Sequence, residues 1–299
     1  MPELPDVTVY VEALNERVRG RCLERVSVRG PFLLRSVAPP VQAVEGRSVV
    51  DVRRVGKRVC IGVEGGYWLA IHLMIGGRLH WKSAAPKPTD RRVLAVFTFD
   101  SGVLTLTEGG TQHRASLHVV EGEAGLYALD AGGIDVFAAS PEEFAAVLRS
   151  ENHTLKRSLT DPRMFSGIGN AYSDEILWAA RLSPVALTQR LGDAEVAGLF
   201  AATRSVLAEW IERLRADARD KFPEKVTAFR EGMAVHGRYG QPCPRCGAKV
   251  QRIRYASNET NYCAACQTGG KLLADRKLSR LLHEDWPKTL EEMKGLKRK

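Results

Sequence analysis

Four cysteines set the tightest constraint on what this 299-residue chain can fold into. They stand as two C-x-x-C pairs, CPRC (Cys243, Cys246) and CAAC (Cys263, Cys266), with sixteen residues between the pairs. Tetrahedral zinc takes four thiolates, and two such knuckles at this spacing close a short β-hairpin around the metal. The ligand set is complete without substrate, so the one zinc expected here is structural. A disulfide reading is weak in a reducing cytoplasm. Cys22 and Cys60 are isolated and read as core residues.

Length allows two domains with real cores. Hydrophobic content of 44% and a mean hydropathy of -0.21 describe an ordinary soluble chain. No apolar run approaches membrane-spanning length and the start lacks a signal-peptide pattern, so the expected location is cytoplasmic. The formal charge of +9 favours a polyanionic partner. Distribution sharpens this. Residues 236–280 carry nine Lys/Arg against Glu259 and Asp275, and residues 16–58 carry eleven against four acidic groups. Two distant basic regions suit the walls of a nucleic-acid groove.

The patterning predicts an α+β chain. After a first helix on Val7, Val11, Leu14 and Val18, residues 23–120 read as strands. VLAVFTFDSGVLTLT and RVCIGVEGGYWLAIHL are hairpin signatures around Asp100-Ser101-Gly102 and Glu64-Gly65-Gly66. Together they suggest an antiparallel sandwich or barrel. DAGGIDVFAA reads as a linker. Ser140-Pro141-Glu142-Glu143 is a capping box opening a helical half, in which Val196, Leu199, Phe200, Val206, Leu207, Trp210, Ile211 and Leu214 form a core stripe. The expected divisions are 1–130 (β domain), 131–139 (linker), 140–238 (helical domain), 239–267 (zinc finger) and 268–299 (a helical, basic tail).

Two stretches could carry chemistry. MPELPDV begins with Pro2 and Glu3, either a stiff lead-in to the helix or, once Met1 is removed, a terminal secondary amine beside a carboxylate. SGIGNAYSDEIL is either a glycine-rich turn between helices or a phosphate site built from N–H groups at a helix start, with Asn170 adding an amide. Lys156 could add a second phosphate contact.

PELPDV, VGKRV with Lys57, HLMIGGRL at 72–79, LK at 155–156, GIGNAYSDEIL at 167–177 and the four-cysteine hairpin occur in an order that resembles the formamidopyrimidine-DNA glycosylase / endonuclease VIII (Fpg/Nei) family. The resemblance covers about residues 2–267. It implies an N-terminal β-sandwich and a helix–two-turn–helix domain flanking a DNA cleft, plus the zinc hairpin. It also implies a monomeric base-excision-repair enzyme, with no membrane partner, that excises damaged bases from double- or single-stranded DNA and cuts the strand by β,δ-elimination. Pro2 would form the Schiff base, because a secondary amine attacking C1′ gives an iminium that is cationic without deprotonation. Glu3 would move protons at the sugar and Lys57 would assist at the sugar-phosphate. Lys156 and Asn170 would hold phosphates of the extruded nucleotide.

This chain departs from the family pattern in several places. Asp6 stands where relatives usually carry Glu. The void-filling Met falls on Ile75, with Met74 beside it. An Arg/Phe loop is replaced by TEGGTQHRASLHVV, where Gln112, His113 or Arg114 could substitute. Asn258 replaces an Arg before the third cysteine, leaving Arg252 or Arg254 for the phosphate grip. The stretch KFPEKVTAFREGMAVHGRYG lacks the usual Gly-Gly-Thr-rich loop. Lyase parts are therefore expected intact and lesion-reading parts rebuilt. Two other readings stay open: a glycosylase using Glu3-activated water on bulky or crosslinked adducts, and a non-catalytic damaged-DNA binder.

Overall fold

The computed structural model describes residues 1–299 except 88–89, 110–112, 220, 225, 227–229, 256–257, 274–286 and 297–299. It contains two compact units, Met1–Gly132 with Ala208–Ala228 and Gly133–Leu207 with Phe229–Lys299.

The first unit opens with α1 (Leu4–Val18), which has Pro5 in its first turn. Glu3 is the N-cap, and its backbone N–H donates to the Asp6 carboxylate at 2.9 Å, half of a capping box. Val7, Tyr10, Leu14 and Val18 are buried, as their helical spacing predicts. Eight strands follow: β1 (Cys22–Val28), β2 (Arg47–Val55), β3 (Arg58–Val63), β4 (Tyr67–His72), β5 (Gly77–Lys82), β6 (Val93–Phe99), β7 (Gly102–Glu108) and β8 (Ser116–Glu121). They run β5-β7-β6-β1-β2-β3-β4-β8 in one antiparallel sheet. The β1–β2 ladder has two residue pairs only, Cys22 with Ser48 and Leu23 with Arg47. Side chains from both halves, Leu79, Phe97, Leu104 and Leu106 from one and Val59, Ile61, Leu69, Ile71 and Leu117 from the other, share a single core with α1. The expected sandwich is thus one sheet folded over at its narrowest ladder. Both expected hairpins form, the β3–β4 turn using Gly65 and Gly66 at φ 81° and 80°. A short helix, α2 (Gly122–Tyr127), covers Cys60, Trp68 and Ala70 on the outer face through Leu126.

The second unit holds α3 (Pro141–Arg149), α4 (Leu155–Thr160), α5 (Asn170–Ala179), the start of α6 (Asp193–Ala218), a hairpin of β9 (Gln251–Arg254) and β10 (Glu259–Tyr262), α7 (Ala264–Thr268) and α8 (Leu290–Leu296). The Ser140 hydroxyl accepts from Glu143 N–H at 3.1 Å and the Glu143 carboxylate accepts from Ser140 N–H at 2.8 Å. Phe144 packs against Phe165 and Phe200 with ring centroids 4.8 and 5.1 Å apart.

Three expected boundaries are corrected. Residues 131–139 are no free linker: Ile134 N–H donates to Met164 O at 3.0 Å, Ser166 N–H returns to Ile134 O at 2.9 Å, and Val136 is fully buried. The helical domain does not run unbroken over 140–238, because Phe222 and Val226 join the β core and Tyr10 meets Phe222 at 5.6 Å between centroids. The region from 268 is no separate helical tail where it is described. Leu272, Leu273 and Leu290 pack on Ile253, Tyr262 and Ala264, and Lys271 bridges Thr289. Its residues 274–286 and 297–299 lie outside the described ones. No described helix is long and apolar enough to cross a membrane.

Candidate active site

In the first unit, the chain start and the β2–β3 turn converge. Pro2 and Glu3 are buried. Lys57 is carried on a two-residue turn after Gly56, whose φ of 58° suits the tight hairpin that brings Val55 opposite Arg58. Burial pushes the Lys57 ammonium below its ordinary value, and the nearby Glu3 carboxylate opposes that shift. The terminal amine of Met1 is likewise pushed down by burial, with Glu3, Arg78, Asp6 and Lys57 the charges acting on it in that order. The structure therefore brings together Pro2, Glu3 and Lys57, and adds Asp6 and Arg78. Such a place disfavours the charged form of an amine and sets a carboxyl and an ammonium near it.

Beside it lies the turn from Leu73 to Gly77. Met74 adopts φ 51°, its N–H donates to His72 Nδ1 at 3.1 Å, and the Arg78 guanidinium donates to Ile75 O at 3.0 Å. A Cβ on Gly77 would collide with the Leu73 carbonyl, so the turn closes only with glycine there. Ile75 projects at the tip, 63% exposed, while Met74 is half-buried. Of the two candidate void-fillers, Ile75 is the more exposed. Arg114 is exposed, and its backbone N–H donates to the buried Glu108 carboxylate at 3.0 Å. Gln112 lies outside the described residues.

Among the histidines, sequence reasoning offers only His113, as a loop substitute, and it passes over Arg58. Arg58 pairs with His72 across the β3–β4 ladder, and His118 stands opposite Ala70 on β8. Arg58 Nε and His118 Nδ1 are buried and have no hydrogen-bond partner among the described residues. Burial, then the charges of Arg58, Lys57 and His118, pushes His72 from the ordinary 6.5 to about 4. The signal for this cluster is the period of two in RVCIGV and YWLAIH, readable only once the ladder register is known.

In the second unit, the SGIGN turn delivers the N-terminus of α5, with Gly167 at φ 83° and Gly169 as N-cap. Lys156 does not offer its ammonium outward. Its three protons go to Asn170 O at 2.7 Å, Ser173 Oγ at 2.8 Å and Asp174 Oδ1 at 2.5 Å. The Asn170 side-chain amide donates to Glu259 O at 3.0 Å, joining α5 to the β9–β10 hairpin. Lys156, Arg157, Asn170, Tyr255 and Asn258 line a cavity of about 650 Å³. Arg252 stacks on Tyr239 at 4.1 Å and reaches Glu259 at 3.4 Å, and Arg254 is exposed at the end of β9.

The four cysteine Sγ atoms lie within 4.8 Å of one another. Tetrahedral thiolates at about 2.3 Å from zinc stand about 3.8 Å apart, and Cys243–Cys266 and Cys246–Cys263 are separated by 4.0 and 3.4 Å. The indole N–H of Trp178 donates to Cys243 Sγ at 3.3 Å.

Residues 1–110 match the formamidopyrimidine-DNA glycosylase N-terminal domain, residues 135–220 its H2TH domain, and residues 240–269 the zinc finger found in FPG and IleRS. A formamidopyrimidine-DNA glycosylase of Carboxydothermus hydrogenoformans is 32% identical over 273 residues, covering 89% of this chain and 100% of that protein. The chain belongs to the formamidopyrimidine-DNA glycosylase family. A member from Thermus thermophilus has a crystal structure that is 30% identical, with a TM-score of 0.74, covering 89% of this chain and 98% of the other. A Lactococcus lactis Fpg mutant, crystallised with a Fapy-dG-containing DNA, shares the fold at 23% identity and a TM-score of 0.78, covering 89% and 100%.

The zinc-finger match and the sulfur geometry together give this family member one structural zinc, held by Cys243, Cys246, Cys263 and Cys266. Trp178 fixes the orientation of one ligand from α5, as outer-shell donors do at metal sites. The hairpin and the segment at 234–236 that precedes it are each anchored to α5. Asp174 Oδ2 accepts from Asn261 N–H at 3.1 Å, and Glu175 accepts from the N–H groups of Ala234, Val235 and His236 at 2.7, 2.9 and 2.9 Å.

Proposed function

We propose that this chain is a DNA glycosylase of base excision repair that also acts as an abasic-site lyase, with Pro2 as nucleophile. The observation that carries the reading is the burial of Pro2 and Glu3 beside Lys57, Asp6 and Arg78. A free terminal amine has a pKa of about 8, and burial at the chain start pushes it down, so the neutral, nucleophilic form of a Pro2 amine exposed by loss of Met1 is favoured over that of an exposed terminus. It attacks sugar C1′ as the bond to the base breaks. Its proton passes to Glu3, which returns it to the ring oxygen as the sugar opens and leaves an iminium, while the departing base takes a proton from solvent. That cation makes the C2′ proton acidic, and elimination releases the 3′ and then the 5′ phosphate. Lys57, held as a less basic ammonium, acts as acid or electrostatic partner at the sugar-phosphate.

DNA is the partner this reading requires. Fpg structures related in fold carry a Fapy-dG DNA or an abasic-site DNA. In this chain, Asn170 at the start of α5, with Arg157, Arg252 and Arg254, supplies donors for phosphates. Lys156 contributes by charge and by holding the Asn170 carbonyl, since its own protons are committed.

The test is borohydride trapping on oligonucleotides bearing an abasic site. Protein processed to Pro2 is expected to crosslink, Pro2→Gly to crosslink weakly, and Glu3→Gln to lose base excision. Equal crosslinking by protein that retains Met1 would rule out the terminal amine. Base release without any crosslink would favour water activated by Glu3.

A further inference from the structure

The zinc-finger match ends at residue 269, and the chain beyond it folds back on the hairpin. Helix α7 ends on Gly269, whose φ of 59° is the left-handed cap that glycine favours. Leu272 N–H then donates to Lys288 O at 2.8 Å, Leu290 N–H donates to Gly270 O at 3.2 Å, and Lys271 bridges Thr289. Leu272, Leu273 and Leu290 cover the apolar face made by Ile253, Tyr262 and Ala264.

One contact fixes Leu273 in particular. Its N–H donates to the Tyr262 hydroxyl at 2.7 Å, and Tyr262 is 1% exposed. A buried phenol oxygen left without a partner is costly, so this bond holds residue 273 against β10. The Leu273 side chain, half-buried, lines the cavity of about 650 Å³ in the second unit. Lys156 and Arg157 of α4, Asn170 at the start of α5, and Tyr255 and Asn258 of the β9–β10 turn line the same cavity. Lys156 gives its protons to Asn170, Ser173 and Asp174. Among the described residues of this wall, the exposed Arg157 is therefore the cation that remains for an anion. An apolar side chain beside such a donor fits a sugar-phosphate unit, whose deoxyribose is largely apolar and whose phosphate is charged.

We propose that the chain beyond the zinc finger is part of the DNA-binding surface, and that Leu273 packs on a backbone deoxyribose beside the phosphate that Arg157 receives. Tyr262 sets the position of Leu273, and the leucines at 272 and 290 seat the segment on the hairpin. This rests on the DNA-binding reading above and extends it to a segment that the zinc-finger match does not include. A charge set at residue 273 then acts on the phosphate directly. A residue that only braces the hairpin would be indifferent to the sign of that charge.

The test is a charge series in the full chain, Leu273→Glu, Leu273→Gln and Leu273→Lys, each checked for its zinc content. The probe is a duplex carrying a tetrahydrofuran abasic analogue, and the readout is Kd across a range of salt. Leu273→Lys should bind tightest and Leu273→Glu weakest, with Leu273→Glu below Leu273→Gln by about tenfold at low salt. Leu273→Lys should also steepen the slope of log affinity against log salt by about 0.9, one added phosphate contact. Equal affinities for Leu273→Glu and Leu273→Lys would overturn this proposal alone. If the series loses zinc, Tyr262→Phe takes its place, since it removes only the hydroxyl that receives the Leu273 N–H. It should weaken binding by about threefold, the worth of one hydrogen bond, and leave the rate of abasic-site trapping at saturating DNA unchanged. Unchanged affinity in Tyr262→Phe would then overturn the proposal. No DNA binding by the unaltered protein would overturn the DNA-binding reading and this proposal with it.

Discussion

The Lys156 ammonium lies 2.5 Å from one carboxylate oxygen of Asp174, and the other oxygen of Asp174 faces His236 Nδ1 at 2.8 Å. Asp174 is 1% exposed, so its charge depends on its hydrogen-bond partners to replace water. A lysine that sequence alone places on a phosphate is in the structure the counter-ion of a buried carboxylate.

Lys156→Met should therefore act first on stability. It strands Asp174 in the interior, and losing one member of a buried pair costs about 3–5 kcal/mol. Chemical denaturation is the measurement. A variant as stable as the parent, but weak on DNA, would return Lys156 to the role of a free phosphate contact.

Acid should loosen the first unit through His72. Its folded-state pKa is depressed from 6.5 to about 4, so the unfolded chain takes up the proton first. The stabilisation is fully present above pH 6.5 and is lost as the pH falls toward 4, by on the order of 3 kcal/mol. The denaturation midpoint should drop across that window, and His72→Gln should flatten the drop.

Metal removal should act locally. Chelation of the single zinc, or Cys263→Ser, should melt the β9–β10 hairpin and alter Trp178 emission, because its indole N–H loses a thiolate partner. Amide exchange in β1–β8 should stay slow. Active protein that contains no zinc would end this assignment.

The exposed Ile75 should limit which lesions are handled well. Extruding a base costs a few kcal/mol of stacking and pairing, which a void-filling side chain offsets in part. A branched tip shorter than Met offsets less, so abasic sites and weakly stacked lesions should be processed fastest. In competition with 8-oxoguanine opposite cytosine, Ile75→Met should narrow the difference. Faster cutting of 8-oxoguanine than of an abasic site by the unaltered protein would contradict this ranking.

What was legible in the sequence was local. The cysteine spacing, the capping box at Ser140 and the glycine-centred hairpins each fix a structure within a few residues of themselves, and each is found in place. The motif order also pointed to Pro2, Glu3 and Lys57, and the structure brings them together. Contacts between distant positions were not legible. Nothing in LKRS names Asp174 as the partner of Lys156, and nothing in GRLHWK names Glu224, 144 residues away, as the partner of His80. The apolar stripe of α6 announced a buried helix but not that the chain beyond it, at Phe222 and Val226, completes the β core.

That last arrangement bears on how the molecule is made. The first unit needs residues 208–228, which leave the ribosome after residues 133–207 of the second have already been synthesised. Its core therefore cannot close in the order the strands are made, and the nascent sheet must wait, with the cleft left by Phe222 open, while most of another unit emerges. A chain cut after Gly132 repeats that unfinished moment permanently, and neither unit can be obtained whole as one uninterrupted stretch of this sequence.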